Sequence, residues 1–253
     1  MRMLNQLLKT MVLVLMVLSC TPIPSNDPLS LYSDLSEDSK PNTLSKKEIQ
    51  NGWQLLFDGT TATGWHGYNL NYVPECWKIE DGTFTIITEG GGESQDIITD
   101  KSYKNFAFTV EYKLTPAANS GIIFQILEDS LYHYPYETGP EFQIIDHNGW
   151  PDPLEDWQKC AANYAMYPSK ITEFKPVGEW NRMLLVVNEN QVTQILNGEI
   201  SVEYLKYSDD WNTRKGSGKW LDFPNWGKFD QGPISLQNHG TKVWFRNIKI
   251  KEL

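Results

Sequence analysis

The stretch that decides the fold is "NFAFTVEYKL", residues 105–114. Apolar side chains occupy every second position: Phe106, Phe108, Val110, Tyr112 and Leu114. Successive side chains of a β-strand point to opposite faces of a sheet, so this alternation predicts a strand with one face in a core.

Similar short patterns recur on both sides of this stretch. "WKIEDGTFTII" (77–87) is two alternating runs joined by Asp81–Gly82, and "QVTQILNGEISVEYL" (191–205) is two runs joined by Asn197–Gly198. Both dipeptides tolerate the positive φ angles of a two-residue hairpin turn. With about a dozen such runs and no long amphipathic helix, we predict an all-β protein: an antiparallel β-sandwich of two sheets with concanavalin A-like jelly-roll winding.

The N-terminus has the pattern of an export signal. Arg2 and Lys9 precede an apolar run at 11–18, which is too short to span a bilayer. The ending "VLSC" resembles a bacterial lipoprotein signal, in which Cys20 is the lipidated first residue of the mature chain. We therefore predict a signal peptide at 1–19 and an exported lipoprotein, anchored in the periplasm or at the outer membrane.

Residues 20–45 are rich in Pro, Ser and Asp, which predicts a flexible tether, and the jelly-roll domain is expected at 46–253. The formal net charge is −10. An acidic chain without a basic cluster argues against a nucleic-acid partner and against any membrane contact except the lipid anchor.

The sequence predicts no cofactor. Cys76 and Cys160 are the cysteines left after Cys20, and their spacing does not decide whether they form a disulfide. No CxxC, HExxH or acidic calcium-loop pattern occurs, so the sequence indicates no metal site, although it leaves a divalent cation open.

Polar residues within apolar strands are the first candidates for a site. In "GPEFQIID" (139–146), Glu141 and Gln143 share one face, and a bulge after Gln143 would bring Asp146 to the same face. The pattern resembles the E-x-D-x-x-E strand of laminarinase- and lichenase-type glucanases. Gln143 cannot relay a proton and Asp146 is one carbon shorter, so we do not expect their two-carboxylate retaining mechanism.

Further polar candidates lie elsewhere on the predicted strands. In "ISLQNHG" (234–240), alternation places Gln237 and His239 on one face, which we assign to a cleft, and turns Asn238 away. Asn119 stands in a turn entering the next apolar strand, and Gln125 lies within that strand. Lys175, in "EFKPVGEWN", could reach a substrate oxygen.

A long aromatic insertion follows Asp146. Long loops in compact domains are usually functional lids or disordered, and we favour a lid here. Trp150 and Tyr164 supply rings on which a sugar could stack.

An ordered set of motifs resembles one family: "GWQLLFDGTTATGWHGY", "WKIEDGTF", "NSGIIFQ", "EFQIID", "KPVGEWN", "ILNGE" and "ISLQNHGTKVWFRNIKIKEL". Together they cover nearly all of residues 50–253 and are similar to the 3-keto-disaccharide hydrolases. The resemblance implies an exported jelly-roll enzyme acting on glycosides oxidised at C3. It also implies elimination to a 3-keto-2-hydroxy-glucal, followed by hydration.

That chemistry needs a base, an acid and groups that stabilise an enolate. We expect Glu141 as base or acid, Asp146 as its partner, and His239 as a donor to the ketone or a proton shuttle. The expected substrate-binding residues are Asn119, Gln125, Gln143, Lys175, Gln237, Trp150 and Tyr164. Two alternatives stay open: a non-catalytic carbohydrate-binding module and a conventional two-carboxylate glycosidase.

Overall fold

The computed structural model describes residues 26–35, 40–90 and 93–253. The predicted signal peptide and Cys20 lie outside the described residues and stay predictions. Within the described ranges, none of the helices has the length and apolar character needed to cross a bilayer.

The described residues form mostly strands. The strands are β1 (Gln54–Leu55), β2 (Trp65–Gly67), β3 (Trp77–Glu80), β4 (Thr83–Ile86), β5 (Ile97–Thr99), β6 (Phe106–Leu114), β7 (Asn119–Phe124), β8 (Glu141–Ile145), β9 (Asn181–Asn188), β10 (Gln191–Leu196), β11 (Glu199–Leu205), β12 (Ile234–Leu236) and β13 (Val243–Glu252). The helices are α1 (Pro28–Asp34), α2 (Lys46–Gln50) and α3 (Asp209–Lys215), with 3₁₀ turns at Pro135–Glu137, Asp156–Gln158 and Lys219–Asp222.

The strands make two antiparallel sheets packed face to face. The large sheet has the order β11-β10-β9-β6-β13-β4-β3, with β1 beside β13, and the small sheet has the order β2-β5-β12-β7-β8. The predicted two-sheet jelly-roll sandwich is confirmed. Asp81 and Gly82 (φ 49° and 73°) and Asn197 and Gly198 (φ 51° and 90°) form the two predicted hairpin turns.

The alternating stretch lies at the centre of the large sheet. It forms β6, between β9 and β13, and its alternate apolar side chains are buried between the two sheets. On the opposite face, Glu111 binds Arg182 and Arg246, each through a nitrogen at 2.8 Å. The period of two therefore separates a dry core from a charged outer face.

The segment before the domain is partly ordered, so the prediction of a flexible tether over 20–45 is wrong for its described residues. Asp27 caps α1 by accepting a hydrogen bond from the Ser30 amide at 2.9 Å. Leu31 is fully buried with Trp53 against the outer face of the large sheet. The Pro- and Ser-rich composition obscured this leucine, whose burial offsets part of the entropy of ordering the segment.

We expect Leu31→Ala to lower the free energy of unfolding by about 2–4 kcal/mol, because it empties a buried site. The matched variant is Leu29→Ala, two residues earlier in the same helix, where the leucine is 46% exposed. That change should cost no more than about 0.5 kcal/mol. Thermal and denaturant unfolding would measure both, and equal stability of the two variants would show that α1 does not pack on the sheet.

Candidate active site

Glu141 begins β8, the edge strand of the small sheet. Phe142 and Ile144 turn into the core, so Glu141 lies on the outer face, where it is nevertheless only 4% exposed. Its side chain leans across β7 over Gly121: a methyl group there would lie 2.8 Å from Glu141 Cγ and closer still to Oε1. The carboxyl can occupy this position only because residue 121 is glycine.

A second carboxyl lies on the same face, with β7 and β12 between its strand and that of Glu141. Gln237, just beyond β12, hydrogen-bonds the Glu141 carboxyl through its side chain and donates its backbone amide to Gly121 O at 3.0 Å. Asp96, just before β5, accepts a hydrogen bond from the Asn238 amide at 2.7 Å. Adjacent strands are about 4.8 Å apart, so acid, amide and acid follow one another across the sheet.

Both carboxyls exchange protons near neutral pH. Burial raises the pKa of Glu141 to about 8; the Lys219 ammonium opposes this shift and the Asp96 charge adds to it. Burial also raises the pKa of Asp96 to about 7, against the lowering effect of the Asn238 hydrogen bond. A carboxyl with a pKa near the working pH can both take and give a proton, which general acid–base catalysis requires.

Lys219 brings a cation to the site. Its Nζ lies 4.5 Å from the ring centre of Tyr164 and 5.0 Å from that of Tyr136. Behind it, the buried Trp220 stacks on Trp226 with ring centres 4.3 Å apart. Desolvation lowers the pKa of Lys219 and the Glu141 charge opposes that shift. The aromatic support thus holds a positive charge near the Glu141 carboxyl.

A surface cavity of about 350 Å³ opens at Asp96 and Gln237. It is lined by Ser94, Asp96, Tyr134, Tyr136, Gln237, Asn238 and His239. The His239 ring makes an edge contact with Trp150, with ring centres 6.4 Å apart. The structure thus brings Gln237 and His239 together in one cleft. Asn238, predicted to point away, also lines it, and its Oδ1 accepts a hydrogen bond from the Gly240 amide at 2.9 Å.

Asp146 is not the partner of Glu141, so that expectation is wrong. The register of β7 and β8 is continuous, without the bulge that would turn Asp146 to the Glu141 face. Five strand positions separate the two residues by about 16 Å. The Asp146 carboxylate instead accepts hydrogen bonds from the Ala117 and Gly149 amides at 2.9 and 3.0 Å, which braces a loop.

Three expected binding residues lie away from the cavity. Lys175 lines a different cavity, together with Asp146, and donates to Trp180 O at 3.0 Å. Gln125 is buried in a structural network: it accepts from Lys206 Nζ at 2.8 Å and donates to Asp230 O at 2.6 Å. Asn119 is tied to the Thr241 hydroxyl through its backbone. The structure therefore does not support these three as ligands of the substrate.

The insertion after Asp146 extends the sheet edge instead of closing over it as the predicted lid. Its Ala161 amide donates to Gln143 O at 2.9 Å, and its Tyr164 amide donates to Glu141 O at 3.0 Å. The Gln143 side chain donates to Gln158 O at 3.3 Å beneath this segment. The same pairing places the Tyr164 ring against Lys219, so Tyr164 does belong to the site.

Sequence reasoning missed Asp96, Lys219 and Tyr136. An acid directly before the apolar run of β5 was a signal for Asp96, since it resembles Glu141 at the start of β8. Lys219 begins a 3₁₀ turn outside the predicted strands and offered no signal. Cys76 and Cys160 are both buried free thiols. Among the described residues, no group of three or more His, Cys, Asp or Glu side chains is arranged to hold a metal ion.

We expect Lys219→Met to raise the pKa of Glu141, because the ammonium favours the charged carboxylate. Carboxyl-carbon NMR titration would measure the shift. Lys78→Met removes the same charge from an exposed position of β3, in the other sheet, and should leave this pKa unchanged. If Lys219→Met had no effect, the ammonium would not act on Glu141 in solution.

Comparison with known proteins agrees with this architecture. A family described as the 3-keto-alpha-glucoside-1,2-lyase-like domain matches residues 52–251. A relative from Bacteroides thetaiotaomicron named 3-keto-disaccharide hydrolase is 31% identical over 255 residues, covering 90% of this chain and 88% of the relative.

Two solved structures from Parabacteroides distasonis, both of candidate glycosyl hydrolases, have similar folds. One is 39% identical, with a TM-score of 0.80, and the match covers 85% of this chain and 100% of the solved chain. The other is 28% identical with a TM-score of 0.64, covering 79% and 99%. These similarities support a glycoside hydrolase-like function.

Proposed function

The chain belongs to the 3-keto-alpha-glucoside-1,2-lyase-like domain family, and from this premise we propose that it cleaves glycosides carrying a ketone at C3, by elimination and then hydration. The observation that carries the proposal is the buried Glu141 carboxyl, with a pKa of about 8, held by Gln237 beside the Lys219 ammonium. The name of the Bacteroides relative supports the same substrate class.

The first step is removal of the C2 proton. A ketone at C3 makes this hydrogen acidic, because the electron pair left at C2 delocalises onto the ketone oxygen. The Glu141 carboxylate takes the proton, and the C1–O bond then breaks as a C1=C2 double bond forms. General base assistance of this kind contributes about 10²–10⁴-fold.

The enolate that forms needs positive charge or hydrogen-bond donors. In this proposal Lys219 stabilises its negative charge, and the His239 ring, at the rim of the cavity, donates to the ketone oxygen. Gln237 orients the Glu141 carboxyl through their hydrogen bond. Trp150, which contacts His239, and Tyr164, which contacts Lys219, position the sugar.

Hydration reverses the proton movements. Water adds its oxygen to C1 of the unsaturated ketone, and protonated Glu141 returns a hydrogen to C2. The proton that water loses balances the one that the departing oxygen takes up, so the products are a 3-keto sugar and the released alcohol, and Glu141 is again a carboxylate. A single carboxyl therefore serves as base in the first step and as acid in the second.

A 3-keto-glycoside deuterated at C2 should react more slowly than the protiated compound, because the C2 bond breaks during elimination. The unoxidised glycoside should not be turned over, since its C2 hydrogen is not acidic. Comparative rates with 3-keto-trehalose and trehalose would measure both effects. Equal turnover of the oxidised and unoxidised sugars would instead support the two-carboxylate glycosidase.

Glu141→Gln should lower kcat by about 10²-fold or more while substrate still binds, because it keeps the side-chain shape but removes the basic oxygen. Glu80→Gln makes the same chemical change at an exposed position of β3 and should leave kcat unchanged. Full activity of Glu141→Gln would eliminate Glu141 as the base. Thermal unfolding of both variants checks that they fold.

A further inference from the structure

A second compartment adjoins the cavity described above. It has a volume of about 210 Å³ and is lined by Tyr68, Glu93, Ser94, Gln95, Asp96, His133, Tyr134 and Pro135. The larger, 350 Å³ compartment shares Ser94, Asp96 and Tyr134 with it. Asp96 therefore lies at the junction of two compartments.

Two residues that line the larger compartment carry polar atoms without partners. Within the described residues, Gln237 Oε1 and Asn238 Nδ2 are buried and make no hydrogen bond. Each of the two residues is only 7% exposed. Buried polar atoms are nearly always hydrogen-bonded, and here one acceptor and one donor are left over in neighbouring residues. Hydroxyl groups, which both donate and accept, would satisfy the pair.

An aromatic platform lies between the compartments. Tyr134 is 51% exposed, and its ring is stacked on Tyr136 with ring centres 5.3 Å apart and planes within 9°. Phe223 supports Tyr136 from its edge, with ring centres 5.9 Å apart. An exposed tyrosine held rigidly by a second ring offers an apolar face of low entropic cost to a sugar ring.

We propose that Asp96, at the junction of the two compartments, is the catalytic acid for the bond between two sugar rings, each of which occupies one compartment. This inference rests on the proposed function, because it places the 3-keto ring in the larger compartment, beside Gln237 and Glu141. The leaving sugar then occupies the smaller compartment. The glycosidic oxygen lies at the junction, within reach of the Asp96 carboxyl.

The proton and electron movements balance. Glu141 takes the C2 hydrogen, the C1=C2 double bond forms, and the pair of the C1–O bond goes to the glycosidic oxygen. That oxygen takes the proton of neutral Asp96 and leaves as an alcohol. In hydration, the oxygen of water adds to C1 and the Asp96 carboxylate takes a proton from that water. Glu141 returns its proton to C2. Both carboxyls regain their starting states.

The pair needs one proton between its two members. With pKa values of about 7 for Asp96 and about 8 for Glu141, both carboxyls are neutral well below pH 7 and both are charged well above pH 8. The other titratable groups that line the two compartments are Tyr68, Glu93, His133, Tyr134, Tyr136 and His239, and Lys219 contacts Tyr136. The Glu141 value already includes the lowering effect of Lys219, so in most molecules with one proton that proton is on Glu141, and the reactive form, with Glu141 charged and Asp96 neutral, is the minor one. A bell-shaped rate profile centred between the two values follows.

The test compares leaving groups. An alkyl alcohol leaves slowly without an acid, whereas 4-nitrophenolate leaves without protonation. Asp96→Asn should therefore lower kcat about 10²-fold on 3-keto-trehalose but less than about tenfold on 4-nitrophenyl 3-keto-glucoside. Glu141→Gln should lower both rates alike. Asp152→Asn, the same change at an exposed loop position, should alter neither rate.

A second variant tests the smaller subsite. His133 is exposed and lines the smaller compartment but not the larger one. His133→Ala should therefore raise KM for 3-keto-trehalose and leave KM for methyl 3-keto-glucoside unchanged.

Unfolding at several pH values checks that the Asp96 variant folds. The raised pKa of Asp96 contributes stability that is present below its unfolded value of 3.8 and is lost as pH rises through about 7. The difference in unfolding free energy between Asp96→Asn and the wild type should therefore favour the variant more at pH 8 than at pH 4.

The outcomes separate the two proposals. A wild-type protein that turns over neither 3-keto substrate contradicts the proposed function itself. If the wild-type protein turns over both substrates and Asp96→Asn slows both equally, or slows neither, only the role of Asp96 as the acid is overturned. Equal KM effects of His133→Ala on the two-ring and one-ring substrates would overturn the second subsite.

Discussion

The site depends on the contact between the Glu141 carboxyl and the bare backbone of Gly121. A carboxyl on a sheet face normally extends into water, but this one lies flat across the neighbouring strand and meets Gln237. That position buries it and raises its pKa to about 8, so it can exchange protons near neutral pH. A side chain at position 121 would push the carboxyl away from Gln237.

The rest of the molecule keeps this arrangement in place. The core between the sheets fixes the register of β7 against β8, and hence the position of Glu141 relative to Gly121. The insertion covers the edge of β8 by backbone pairing. Without this cover, the edge strand would leave unpaired backbone groups beside the site. Stacked tryptophans, among them Trp220 and Trp226, support Lys219. The buried Lys206 fixes Gln125 to the loop at Asp230, on the way from Lys219 back to the sheet.

The sequence allowed the sandwich, its hairpins and part of the site to be predicted, since these depend on local patterns. Alternation identified β6, and polar residues within apolar strands identified Glu141 and Gln237. Other features depend on tertiary contacts that no local pattern carries. Asp146 turned out to brace a loop because the strand register is continuous. Gln125 satisfies a buried lysine, and Leu31 covers a sheet face from within a segment of polar composition. Lys219 reaches the site only through the packing of a distant loop.

The central claim is that the hydrogen at C2 is removed and replaced during turnover. The most direct measurement is reaction of a 3-keto-disaccharide in D₂O, with mass and NMR analysis of the 3-keto sugar at early times against an enzyme-free control. The account predicts one deuterium at C2 of each product molecule above the control level. Product with no deuterium at C2 above that level, formed equally fast from C2-protiated and C2-deuterated substrate, would contradict it, because cleavage would then occur at C1 without proton abstraction.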